Sequence, residues 1–142
     1  MSTYEEHAAA LGIGGVHLRQ ASTYPIEPIG WLWNGWLARG KVHILAGAPG
    51  TGKTSIAMAA AATITIGGRW PDGTQADKGE VAIWSGEDDP SDTLIPRLMA
   101  AGADLRKVHV VASAIDEGDD RSRPFDPATD MELLSNELSL MD

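Results

Sequence analysis

The stretch Lys41-Val42-His43-Ile44-Leu45-Ala46-Gly47-Ala48-Pro49-Gly50-Thr51-Gly52-Lys53-Thr54 decides how the rest of the chain is read. Val42–Ala46 is a short apolar run and predicts a buried strand. Gly47–Thr54 fits G-x-x-x-x-G-K-[ST], a loop suited to holding phosphate. Its glycines let the backbone turn back with N–H groups facing inward as an anion nest. Lys53 to Ile66 is Ala-rich and stops at Gly67-Gly68, which predicts a helix with its positive end at the same spot. Strand, loop and helix in that order are the context this motif requires.

The pattern makes Gly47, Ala48, Pro49, Gly50, Thr51, Gly52, Lys53, Thr54 and Ser55 the candidate nucleotide-phosphate residues. Lys53 would place an ammonium on the β- and γ-phosphates, and the Thr54 hydroxyl would complete the shell of a Mg²⁺ ion. ATP and Mg²⁺ are therefore the expected ligands.

Downstream, apolar runs alternate with helical patterns. The Lys53–Ile66 helix is apolar on nearly every side, which predicts burial on more than one face. Val81–Ser85 predicts a second buried strand. Residues 90–101 predict a helix stopped by Gly102 and kinked or split at Pro96, which lacks an N–H. Val108–Val111 predicts a third strand, and 112–130 an acidic loop. Met131, Leu134 and Leu138 predict an amphipathic helix running to Met141. This alternation implies an α/β fold with a mostly parallel sheet. Upstream, residues 1–24 read as a tail with a short helix at Tyr4–Leu11, and 25–142 as the core. Pro25 and Pro28 enforce extended backbone. Trp31, Trp33 and Trp36 could stack on bases, but packing on the core or a neighbouring subunit suits them better.

The turn Trp84-Ser85-Gly86-Glu87-Asp88-Asp89-Pro90 places carboxylates beyond a strand's C-terminal end, where ligands bind in open α/β sheets. Asp89 has the spacing of an N-cap, with Pro90 at the first helical position and Asp92 in the first turn. Glu87 precedes the cap and is the candidate base that activates water. Asp88 is a candidate helper or metal-shell residue. Lys53 joins Glu87 as a candidate catalytic residue, because charge neutralisation supplies much of the rate in phosphoryl transfer.

Composition excludes several classes. Lys and Arg total 11 against 20 Asp and Glu, a net charge of −9, which argues against a basic surface for nucleic acid or anionic lipid. Residues 116–142 hold nine acids and two arginines, so that region should repel DNA phosphates. Cysteine is absent, which removes disulfides, thiolate zinc sites and Cys nucleophiles. The histidines at 7, 17, 43 and 109 form no metal-ligand spacing. No apolar run is long enough for a membrane span, and the acidic N-terminus lacks a signal-peptide layout, so a cytoplasmic protein is expected. Arg97 is expected to pair with nearby acids, and Arg121 and Arg123 to be solvated.

Three segments carry a resemblance to a known group: Gly40–Gly47 running into the phosphate loop, Val81–Pro90, and Pro96–Asp104. They resemble RecA-type P-loop ATPases, in particular the RepA-like, hexameric-helicase-related, AAA-type ATPases of plasmids, phages and bacteria. The likeness covers about residues 25–142, and Trp31–Trp36 shares in it. It implies a three-layer RecA-like core, with Lys53 and Thr54 on phosphate and Mg²⁺ and Glu87 as the catalytic glutamate. It also implies homo-oligomeric, hexameric rings with ATP between subunits, and a link to DNA replication or mobile elements. Any contact with single-stranded DNA would come through regions this chain lacks. The family continues with an apolar strand ending in Asp, the Walker B carboxylate, whereas this sequence stops at Asp142. An N-terminal fragment truncated before that strand is therefore expected. Within the chain, Val110–Asp116 offers one substitute, with Asp116 as the Mg²⁺-side carboxylate.

The expected function is hydrolysis of ATP to ADP and phosphate. The alternative is a non-catalytic nucleotide-binding or oligomerisation module. A small-molecule kinase is a third reading, for which no acceptor motif is visible.

Overall fold

The computed structural model describes residues 16, 18–116, 118 and 121–141. The expected helix at Tyr4–Leu11 and His7 and His17 lie outside them. The chain divides into two compact units, one ending at Gly30 and the other starting at Trp31. In the first, Ala21–Thr23 forms a 3-10 turn, and the Arg19 guanidinium lies 4.4 Å from the centre of the Tyr24 ring.

The second unit opens with an antiparallel hairpin, β1 (Trp31–Trp33) and β2 (Leu37–Ala38). Helix α1 follows at Lys53–Ile66, and glycine sets both its ends. Gly52 and Gly67 take positive φ of 84° and 64°, conformations that cost little only without a Cβ. At the C-terminus, the Gly68 N–H donates to the Thr63 carbonyl at 2.7 Å, closing the last turn. Met58, Ala61, Ala62 and Thr65 recur at helical spacing and are buried. The opposite side stays open, with Ile56 53% exposed. Burial on several faces is thus not what the described residues show, because the elements packed on α1 meet only one side.

Strand β3 (Val81–Ile83) pairs in parallel with β4 (Val108–Val110) in the register Val81↔Val108, Ala82↔His109, Ile83↔Val110. The connection holds a π-helical turn at Pro90–Leu94 and then helix α2 at Ile95–Ala100. The expected helix is thus split next to Pro96. Gly102 at φ 81° ends it, and the Ala103 N–H donates to the Leu98 carbonyl at 3.0 Å. Met58, Ala61, Leu94 and Leu98 form the core, with Val81, Ile83, Ile95 and Val108 packed against it. This β-α-β unit with α1 on it is the heart of the fold, a mixed α/β arrangement.

The predicted first strand is absent. Residues 41–48 have no regular secondary structure, and Val42 and Ile44 are 93% and 88% exposed. A buried parallel strand gains its hydrogen bonds and its burial from neighbours. Here β3 and β4 pair with each other, and no described strand lies beside 42–46. The apolar run has β-forming composition without a partner.

The acidic loop contains a small hairpin, β5 (Ala114–Ile115) with β6 (Ser122–Arg123), and the chain closes on α3 (Met131–Ser139). The hairpin overturns two expectations. Asp116 does not end a continuous strand from Val110, because residues 111–113 are irregular. Arg123 is not a solvated charge. It donates to both Asp116 oxygens at 2.9 and 2.7 Å and to both Asp130 oxygens at 2.6 and 2.9 Å. Asp130 is 2% exposed and also accepts from the Asp126 N–H at 2.8 Å. Arg123 holds the Asp130 carboxyl well below the ordinary carboxylate range. The same guanidinium lowers Asp116. Ala82 and His109, on the other side of the β3–β4 pair from the core, line a second cavity of about 640 Å³ with Leu133, Leu134 and Leu138 of α3.

Candidate functional site

The phosphate-loop candidates begin in a tight turn. Ala48-Pro49-Gly50-Thr51 has proline second and a positive-φ glycine third (Gly50, 76°), the requirement of a type II turn. The Thr51 hydroxyl donates to the Ala48 carbonyl at 2.8 Å. A Cβ at Gly47 would sit 3.0 Å from that hydroxyl, so this position has room for glycine only if nothing shifts.

Lys53 turns back over this loop. Its Nζ donates to the carbonyl oxygens of Gly47 and Ala48 at 2.8 and 2.9 Å. The loop is closed on its own cation, since an ammonium takes the nearest acceptors. A phosphate held by Lys53 must draw the ammonium from these two carbonyls.

Lys53 and Thr54, in the first turn of α1, line a cavity of about 640 Å³ together with Glu87 and Asp88 from the turn after β3. Residues more than 30 positions apart thus meet at one place. Gly47, Ala48, Pro49, Gly50, Thr51, Gly52 and Ser55 do not line this cavity. Gly47 and Ala48 reach it only through their carbonyl contacts with Lys53.

The turn that presents Glu87 is locally determined. The Ser85 side-chain oxygen accepts from the Glu87 N–H at 3.3 Å and the Asp88 N–H at 2.9 Å. This pulls the chain out of strand geometry, which is why β3 ends at Ile83 rather than Ser85. Asp89 then caps the next turn, accepting from the N–H groups of Ser91 and Asp92 at 2.7 and 3.3 Å, as its spacing predicts. Arg97 Nη1 lies 3.8 Å from Asp88 Oδ2. Asp116 is clasped by Arg123 and does not line the cavity.

Among the described residues, no group of three or more His, Asp or Glu side chains could hold a metal by itself. The oxygen donors that line the cavity are the hydroxyls of Thr54 and Ser85 and the carboxylates of Glu87 and Asp88, a hard-oxygen set of the kind Mg²⁺ takes. No described helix is long and apolar enough to cross a membrane.

Three features of the site carry little signal in the sequence. Ser85 shapes the acidic turn; a hydroxyl two and three residues before the N–H groups it serves is the available signal. Trp84 and Leu45 line the cavity, and Trp84 packs toward Phe125 with ring centres 6.2 Å apart. No spacing rule connects Trp84 to Phe125.

The tryptophan segment packs on its own unit. Trp33 stacks between Trp36 at 5.3 Å and Trp70 at 4.8 Å, and its indole N–H donates to Asp72 at 2.9 Å. His43 Nε2 accepts from the Ala38 N–H at 2.9 Å. His109 pairs with Glu80 at 2.7 Å.

No curated protein and no solved structure matches the chain. A family model described as an AAA domain matches residues 8–140, nearly the whole length. That match supports a P-loop NTPase fold and nucleotide binding, in accord with a cavity that joins Lys53, Thr54 and Glu87. The chain belongs to the AAA domain family.

Proposed function

We propose that this chain is the nucleotide-binding part of a RecA-like, RepA-related ATPase that hydrolyses ATP to ADP and phosphate. The observation that carries the reading is the single cavity lined by Lys53, Thr54 and Glu87. Lys53 leaves the Gly47 and Ala48 carbonyls and neutralises the β- and γ-phosphates. Gly47 to Gly52 and Ser55 do not line the cavity, and the loop would close on the triphosphate once Lys53 has left its carbonyls. Thr54 would hold Mg²⁺, which would supply charge neutralisation when bound. Glu87 orients a water and takes its proton as the water attacks the γ-phosphorus in line. In this reading the core runs over residues 25–142 as part of a three-layer, mostly parallel sheet, with 1–24 as a tail. Hexameric assembly, single-stranded DNA as a partner and a role in replication or mobile elements rest on the resemblance of Gly40–Gly47, Val81–Pro90 and Pro96–Asp104 to that group.

The test is Glu87→Gln. The variant is expected to bind ATP as wild type does and to lose turnover by about 10²–10⁴-fold. Equal turnover in both proteins would remove Glu87 from the mechanism.

One observation favours the second reading, a nucleotide-binding module without turnover. Asp116, the internal substitute for a Mg²⁺-side carboxylate, is bound by Arg123 outside the cavity. This reading expects ATP binding with no phosphate release from the wild-type chain.

A further inference from the structure

The turn after β3 brings two adjacent carboxylates, Glu87 and Asp88, to the cavity that Lys53 and Thr54 line. An incoming polyphosphate therefore meets negative charge beside the one lysine meant to hold it. Arg97 offsets part of that charge. It projects from α2 to within 3.8 Å of Asp88 Oδ2 without lining the cavity itself. The Asp88 backbone is held separately, by its N–H bond to the Ser85 side-chain oxygen at 2.9 Å and by the Asp89 cap beside it. Loss of Arg97 would leave Asp88 in place with its charge uncompensated.

We propose that Arg97 is a positioning residue for nucleotide binding, which acts through Asp88 to reduce the negative charge that the acidic turn shows to the phosphates. The inference rests on the cavity being the nucleotide site. The two side chains are 49% and 33% exposed, so their pairing adds little to folding. Its effect falls on a third charge, the polyanion, through the part-solvated space of the cavity.

The test is titration calorimetry of Mg²⁺–ATP into the 142-residue chain, comparing wild type, Arg97→Ala, Arg97→Lys, Asp88→Asn and the double variant Asp88→Asn/Arg97→Ala. Arg97→Ala is expected to weaken binding by about 3–10-fold at low ionic strength. The gap should narrow as salt is raised. Arg97→Lys should stay within about twofold of wild type, because the charge is kept. The double variant should bind within about twofold of Asp88→Asn, since Arg97 then has no charge left to offset. A purely structural role for Arg97 would weaken the double variant relative to Asp88→Asn by as much as Arg97→Ala weakens wild type, and that result overturns the proposal. So does an Arg97→Ala chain that binds like wild type. If Arg97→Ala does not fold, Arg97→Gln takes its place with the same expected weakening and salt dependence, and an Arg97→Gln chain that binds like wild type overturns the proposal. A wild-type chain that binds no nucleotide overturns the reading of the site itself, and this inference with it.

Discussion

The Lys53 ammonium lies 2.8 Å from the carbonyl oxygen of Gly47, six residues before it in the chain. The contact is between a cation and a neutral, exposed carbonyl, so water can replace either partner. Lys53→Ala should therefore change folding stability by less than about 0.5 kcal/mol, as measured by urea denaturation. A larger loss would mean that the lysine serves the fold rather than a ligand.

Gly52 stands at φ 84° where α1 begins, and a Cβ there would meet nothing within 4 Å. Gly52→Ala should cost about 1–2 kcal/mol through backbone conformation alone. Denaturant titration checks this. A neutral effect would show that the helix can start from another conformation.

The Asp89 carboxylate accepts from Ser91 and Asp92 N–H groups at the start of the π-helical turn. Asp89→Ala should destabilise the protein by about 1 kcal/mol. Because Asp89 does not line the cavity, nucleotide affinity should stay within about twofold of wild type. Calorimetry and denaturation on the same preparation separate the two effects.

Leu98 is fully buried where α2 meets α1 and β3. Leu98→Ala removes packing that the surrounding core cannot refill completely, at a cost of about 2–5 kcal/mol. Thermal unfolding followed by circular dichroism should show a large fall in midpoint. A small fall would mean that this end of the core is already loose.

Asp130 has an ordinary value of 3.8, and Arg123 depresses it in the folded chain. A carboxylate depressed by folding contributes stability that is present above its unfolded pKa and lost as pH falls through the folded one. Stability should therefore decline as pH drops below about 4, with the β5–β6 hairpin and α3 losing their tie. Asp130→Asn should flatten this acid limb while lowering stability at neutral pH. An acid titration monitored by circular dichroism distinguishes the two proteins, and identical acid limbs would contradict the assignment.

Local features were the ones legible in the sequence. Helix α1 runs from Lys53 to Ile66 as expected, because Gly52 and Gly67 mark its ends through backbone freedom alone. The Asp89 cap and the break near Pro96 are likewise short-range effects. Val42–Ala46 forms no strand for a different reason. Apolar composition reports a tendency to be buried, whereas a strand exists only where another strand supplies hydrogen bonds. Long-range pairs were equally invisible. Nothing in the spacing of Trp33 and Trp70 announces a stack, and Arg123 looked like one more charge among acids until the hairpin placed it between Asp116 and Asp130. At the site, the loop and the acidic turn could be named separately, and their meeting in one cavity awaited the β-α-β packing. The lysine's grip on its own loop carbonyls has no signal in the motif, which describes the loop around phosphate.

The most direct test of the account is titration calorimetry of Mg²⁺–ATP with the wild-type chain and with Lys53→Ala. Binding should be saturable in the wild type and at least about 10-fold weaker in the variant, the loss expected for a charge-assisted contact to phosphate. No heat from the wild type, or equal affinity in the two proteins, would contradict it.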